Sequence, residues 1–382
     1  MLLLIAAAEL LAMTLWFSAT AAAPAMSAEF GLDGAARAWL TMAVQLGFVV
    51  GTLATATTSL ADAINPRRLF ALGCAVGAVC NGAISLAPSA TAIIVLRFCT
   101  GAALAWVYPP GMKIAAGWFI ERRGTALGIV VGALTVGTAF PHLLAWAAAG
   151  TPWRTLVGAS SAFALAAGAL VLATVKDGPH VTPSTPFDIH AAASVLRQRG
   201  VRLATLGYLG HMWELYAMWA WIAAFATASA ASTHLTLSGS LVAFVAIASG
   251  AVGCVVAGFW ADAWGKARIA GLAMLASAGC SALSPAVFGA PAAALMIFAV
   301  VWGFTIVADS AQFSALVSEY SPRTHVGTAL TLQTSAGFLL TIASLRIVPA
   351  IAAAIGWRWA FAILVPGPLL GAWAMKRLSI AE

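Results

Sequence analysis

Twelve apolar runs, each long enough to cross a bilayer and each bounded by turn residues or charges, fill nearly the whole of this 382-residue chain. A helix needs about 20 predominantly apolar residues to span the hydrocarbon core. Runs of that kind lie at 3–26, 38–60, 69–87, 91–118, 124–149, 154–174, 203–229, 236–260, 268–289, 291–317, 327–350 and 357–376. Charged residues make up only 8% of the chain, against about a quarter in a soluble domain, so the chain cannot clothe itself in a water-facing surface. The pattern predicts an all-α integral membrane protein of twelve transmembrane helices. The first run is expected to be a retained helix, not a cleaved leader. It lacks a basic start and exceeds the roughly 7–15 apolar residues of a signal core.

The net charge of +7 is read by position. No basic cluster exceeds two adjacent residues, which argues against a nucleic-acid partner. Lys and Arg concentrate on the cytoplasmic side of membrane proteins. With the N-terminus inside, thirteen of these residues fall in inner loops and the tail, from Arg67 and Arg68 to Lys376 and Arg377. Three fall outside, namely Arg37, Arg154 and Arg358. Both termini are therefore expected in the cytoplasm, of a bacterial inner membrane. The one long polar loop, at about 176–202, reads as a cytoplasmic linker. Within it Thr185, Pro186 and Asp188 resemble a helix start, predicting a short interfacial helix through Arg197. The linker divides an N-terminal bundle at 1–175 from a C-terminal bundle at 203–382.

The two halves echo each other. Glu9, Met13 and Trp16 match Glu214, Met218 and Trp221; Ala61, Asp62 and Ala63 match Ala261, Asp262 and Ala263. Gly124 through Leu127 matches Gly327 through Leu330, and Trp153-Arg154 matches Trp357-Arg358. Offsets stay between 200 and 205 residues. Six spans per copy is an even number, so both copies enter from the same side as a parallel repeat. The expectation is two pseudo-symmetric six-helix bundles.

The loops after spans two and eight carry a resemblance. Gly258, Asp262, Gly265, Lys266 and Arg268 follow the Gly-x-x-x-Asp-x-x-Gly-basic pattern of the major facilitator superfamily. The first copy keeps Asp62, Arg67 and Arg68 but has Thr58 and Asn65 in place of the glycines. Span four adds the family's Arg-x-x-x-Gly as Arg97 and Gly101. The chain thus resembles that superfamily over nearly its whole length. The resemblance implies alternating access. It also implies a cytoplasmic gate at Asp62, Arg67, Arg68, Asp262, Gly265, Lys266 and Arg268, with spans one and seven lining a central cavity.

Ionisable residues inside a bilayer are expensive and mark functional candidates. Glu9 and Glu214 hold equivalent places in the repeat. Helical spacing sets Tyr208, His211, Glu214, Met218 and Trp221 along one stripe, matched by Glu9, Met13 and Trp16. Glu9, Glu214, Asp309 and His211 are the candidate proton-coupling residues, because a carboxylate or imidazole withdrawn from water suits reversible proton uptake. Lys113 and Arg97 are candidate anion contacts, with Trp16, Trp106, Tyr208, Met218, Trp221 and Gln312 as further substrate-binding candidates. At 1.5 Å per residue Glu9 and Lys113 sit at similar depth, roughly 10 Å from the cytoplasmic end, which makes Lys113 the expected partner of Glu9. Arg97 and Lys113 point to different sides of an ideal helix unless Pro109-Pro110 kinks it. Span five holds Gly128, Gly132, Gly137 and Pro141, but Phe140 replaces the glycine of the Gly-Pro step found in proton-driven exporters of the resembling family.

The five cysteines lie within apolar runs and read as packing residues, with no metal or disulfide framework. No nucleophile–base pair, metal spacing or phosphate loop points to an enzyme, and no cofactor is expected. The residues favour a proton-coupled secondary transporter of a small solute, with an organic or inorganic anion as the first candidate. The alternative is export of a hydrophobic compound or drug by proton exchange. The expected partners are solute, protons and lipid, with the chain a monomer.

Overall fold

The computed structural model describes residues 1–58, 60–119, 123–180, 188 and 191–380, with the backbone alone at 61, 62, 123, 124, 193 and 196. Twelve helices are long and apolar enough to cross a membrane. In chain order they are α1 (Leu2–Phe30), α2 (Gly34–Thr57), α3 (Pro66–Ala83), α4 (Ala90–Trp118), α5 (Arg123–Ala147) and α6 (Trp153–Thr174), then α7 (Arg199–Ser232), α8 (Gly239–Trp264), α9 (Lys266–Val287), α10 (Ala292–Tyr320), α11 (Val326–Ile355) and α12 (Trp357–Ser379). No strand occurs among the described residues. The expected spans and helices coincide one for one. In the linker, Ala192–Arg197 is helical. The helix start expected at 185–187 lies outside the described residues.

Helix ends follow local chemistry. Asp33 caps α2 by accepting the Ala36 N–H at 2.7 Å. Asn65 caps α3 from the Arg67 N–H at 3.0 Å, with Pro66 at the first helical position. Gly265, at φ 89°, makes the turn from α8 to α9 that an L side chain would resist. This gives one glycine of the loop motif a conformational duty.

The chain divides into two compact units, Met1–Ser184 and Thr185–Glu382. In the first, α1 packs on α5 and α6, α2 on α4, and α3 on α6; in the second, α7 packs on α11 and α12, α8 on α10, and α9 on α12. The pairing is the same under the repeat. Glycines set the closest seams. Gly47, Gly51 and Gly101 bring α2 and α4 backbone to backbone, and Gly253 and Gly303 do the same for α8 and α10. Gly137 seats α5 against the Leu10 carbonyl of α1. The echoed Trp-Arg pairs brace the ends. Arg154 donates to the Ser85 carbonyl at 3.0 Å and to the Glu29 carboxylate, which also accepts from Trp153 at 2.7 Å. Arg358 reaches the equivalent Phe288 carbonyl at 3.4 Å.

Both fourth helices are broken. α4 runs Ala90–Leu104, loosens over three residues and resumes at Tyr108–Trp118. α10 runs Ala292–Ala308, breaks at Asp309 and resumes at Ser310–Tyr320. The first break precedes Pro109-Pro110, whose missing N–H groups remove two helical hydrogen bonds. The second has no proline.

Candidate functional site

In the second unit, Glu214 lies at the centre of a buried polar cluster. Ser277 donates to its Oε2 at 2.7 Å, while Ser281 and the Trp302 indole donate to Oε1 at 2.6 and 2.9 Å. The two serines stand four residues apart on one face of α9, and Trp302 comes from α10. All are buried. One turn earlier on α7, His211 Nδ1 stands 2.8 Å from Asp309 Oδ1, both groups almost wholly enclosed. Tyr208 and Phe313 pack around the imidazole, with ring centroids 6.1 and 5.6 Å away. Asp309 occupies the break in α10, so the pair ties that break to α7. Gln312 follows in the first turn of the second segment, also buried.

The rest of the α7 stripe is buried too. Met218 is enclosed, and Trp221 donates its indole N–H to the Leu345 carbonyl of α11 at 3.1 Å. That bond commits the polar edge of Trp221 to the scaffold.

In the first unit, Glu9 is fully buried, and neither carboxylate oxygen has a hydrogen-bond partner among the described residues. Its carboxylate occupies the space a side chain on Gly111 would fill. Met13 and Trp16 are buried beyond it, with Trp16 against Phe48 at 5.2 Å between centroids. Trp106 donates to Thr55 Oγ1 at 2.9 Å.

Two expectations are corrected here. Glu9 and Lys113 form no ion pair; Lys113 is half-buried and Glu9 turns instead to the Gly111 backbone. Equal depth in two helices leaves the direction around each helix open. Arg97 is not available to an anion. It is fully buried and donates to the Leu40 carbonyl at 3.0 Å, the Leu15 carbonyl at 2.8 Å, the Trp16 carbonyl, Ser18 Oγ at 3.3 Å and Asn81 Oδ1 at 3.4 Å. Asn81 in turn donates to Val157 O and Ser161 Oγ, both at 3.0 Å. Arg97 therefore joins α1, α2, α3 and, through Asn81, α6, a positioning role for which its planar fork of donors is suited.

Two of the residues expected at the gate, Arg67 and Lys266, find partners outside the motif. Arg67 stands 3.6 Å from Asp177, which also accepts from Asn65 at 2.9 Å. Lys266 pairs with Glu319, at the C-terminal end of α10, at 2.5 Å. Asp262, Arg68 and Arg268 are exposed, and the side chain of Asp62 lies outside the described residues. Asp177 and Glu319 escaped sequence reasoning because neither belongs to the repeated motif. Ser277, Ser281, Asn81 and Gln333, all buried, were not among the expected site residues.

Twelve membrane-length helices, a pairing repeated in each unit, and carboxylates enclosed within helix bundles define an integral membrane protein of the transporter class. A family model described as the Major Facilitator Superfamily matches residues 5–240, more than half of the chain. The chain belongs to that superfamily of membrane transporters. Among solved structures, a point mutant of the nucleoside transporter NupG matches at a TM-score of 0.74, covering 99% of each chain at 15% identity, a likeness of fold. No match is found among curated protein sequences.

Proposed function

We propose that this protein is a proton-coupled secondary transporter of a small polar solute, working by alternating access from a bacterial inner membrane with both termini cytoplasmic. Its two transport bundles correspond to 1–175 and 203–382, joined by the linker at 176–202. The observation that carries the reading is the enclosed His211–Asp309 pair at the break in α10. An imidazole joined to a carboxylate can hand a proton from one group to the other. Placed at a helix discontinuity, its protonation state bears directly on the geometry of the span. Glu214, one turn away, is a further proton-coupling candidate, as is Glu9. The loop residues Asp62, Arg67, Arg68, Asp262, Gly265, Lys266 and Arg268 act as the cytoplasmic gate. With Arg97 committed to backbone carbonyls, the anion reading loses its buried cation.

Proteoliposomes test the coupling. Wild type and Asp309→Asn are compared for accumulation of a labelled panel: monocarboxylates, inorganic phosphate, alkylguanidinium ions and, given the fold neighbour, nucleosides. Wild type should concentrate at least one solute when a pH gradient is imposed. Asp309→Asn should lose that accumulation at least tenfold while retaining exchange of solute for solute. Accumulation by Asp309→Asn equal to wild type would show that the pair does not couple protons.

A further inference from the structure

We infer that Glu9, set against Gly111 at the start of the inner segment of α4, is a subsite for a positively charged, N–H-bearing group of the solute, such as a guanidinium or ammonium. The inference rests on the transport reading above and names a substrate class for it.

The argument begins with what surrounds the carboxylate. Glu9 is fully enclosed, yet neither oxygen accepts a hydrogen bond from any described residue. A buried carboxylate ordinarily gathers two or three donors, as Glu214 does from Ser277, Ser281 and Trp302. The two glutamates are related by the repeat, so the difference lies in their neighbours.

The turn of α4 that meets Glu9 at Gly111 is poor in donors for covalent reasons. A helix start normally presents free N–H groups. In the turn Tyr108–Gly111, Pro109 and Pro110 have none, and the Gly111 N–H is spent on the Val107 carbonyl at 2.9 Å. Gly111 has no side chain, and the Glu9 carboxylate takes the place one would fill. The fully buried cation of this unit, Arg97, donates to three carbonyls, Ser18 and Asn81 instead. The chain therefore builds a close-fitting acceptor and withholds its own donors from it. A solute supplying both a positive charge and N–H groups completes such a site, and a guanidinium matches a carboxylate with two parallel bonds. A carboxylate or phosphate solute is repelled by it.

The experiment uses the full-length protein and two probes of the same shape, propylguanidinium and propylurea. Only the first is charged. Binding is read by calorimetry and by the shift in melting temperature, for wild type, Glu9→Gln and Gly111→Ala. Wild type should bind propylguanidinium, and Glu9→Gln should weaken that binding at least tenfold while changing propylurea binding less than twofold. Gly111→Ala, which claims the carboxylate's space, should show the same selective loss, so the test survives if one variant folds poorly. Equal binding of propylguanidinium by wild type and Glu9→Gln would overturn the subsite, and so would absence of binding to wild type. Proton movement driven by the solute panel is recorded in the same preparations. If carboxylates or nucleosides move protons while propylguanidinium fails to bind, the subsite falls and the transport reading stands. If propylguanidinium binds through Glu9 but no solute moves protons, proton coupling falls instead.

Discussion

Glu9 and Glu214 occupy equivalent turns of α1 and α7, and only Glu214 is furnished with donors. Their pairing was legible in the sequence, because two acids echo each other inside apolar runs. The furnishing was not. Serine and threonine hydroxyls inside helices commonly bond their own backbone, as Thr14, Thr135 and Ser344 do here. Nothing in sequence alone marks Ser277 and Ser281 as the exceptions. Replacing both by alanine leaves Glu214 Oε2 without a donor, and each lost bond to a buried group costs about 1–3 kcal/mol. Ser277→Ala/Ser281→Ala should therefore lower the thermal midpoint of the purified protein clearly. Ser160→Ala, whose hydroxyl has no partner, should leave the midpoint near wild type. Comparable midpoints for both variants would mean the Glu214 cluster contributes little. Arg97 teaches the reverse lesson. Its type and depth suggested an anion contact, but carbonyls of α1 and α2 take its donors, and only tertiary packing shows where those carbonyls lie.

At the scale of the helix, hydropathy located every span, and caps such as Asp33 and Asn65 fixed several ends. The break in α4 was foreshadowed by Pro109-Pro110. The break in α10 has no such marker; Asp309, which stands at it, meets His211 of another span. The glycine seams were also hidden, because a glycine that admits a neighbouring backbone looks in sequence like one that faces open space. The structure separates the two kinds. A methyl on Gly101 would meet the Val44 carbonyl and one on Gly303 the Ala246 carbonyl, whereas one on Gly128 meets nothing within 4 Å. Gly101→Ala and Gly303→Ala should each lower the melting temperature by several degrees through overpacking, typically about 1–3 kcal/mol. Gly128→Ala should be neutral or stabilising, since alanine is favoured over glycine in a helix by about 1 kcal/mol. The reverse ranking would mean the seams yield more easily than backbone contacts suggest.

Across the whole molecule, the internal repeat gave the architecture its plan before any coordinates. Span count, parallel sense and loop motif together pointed to the superfamily, and the helix pairing repeats in each unit. Orientation still rests on the distribution of Lys and Arg. In a background lacking the five native cysteines, Ala149→Cys in the loop after α5 should react with a membrane-impermeant maleimide on intact cells. A cysteine replacing exposed Arg377 should react only after permeabilisation. Labelling in the opposite sense would invert the topology. The solute was the least legible property, because the repeat describes what the halves share, whereas Glu9, Lys113 and Asp309 gain their meaning from neighbours that the halves do not share.

The glycine seams have a consequence for how such a chain ages. Where two helices meet through missing side chains, selection must guard only a handful of positions to preserve the architecture. The remaining apolar surface can exchange leucine for valine or alanine for isoleucine with little penalty. Sequence drift then erodes recognisable kinship long before it disturbs the backbone, which is how so distant a transporter can share this fold from end to end.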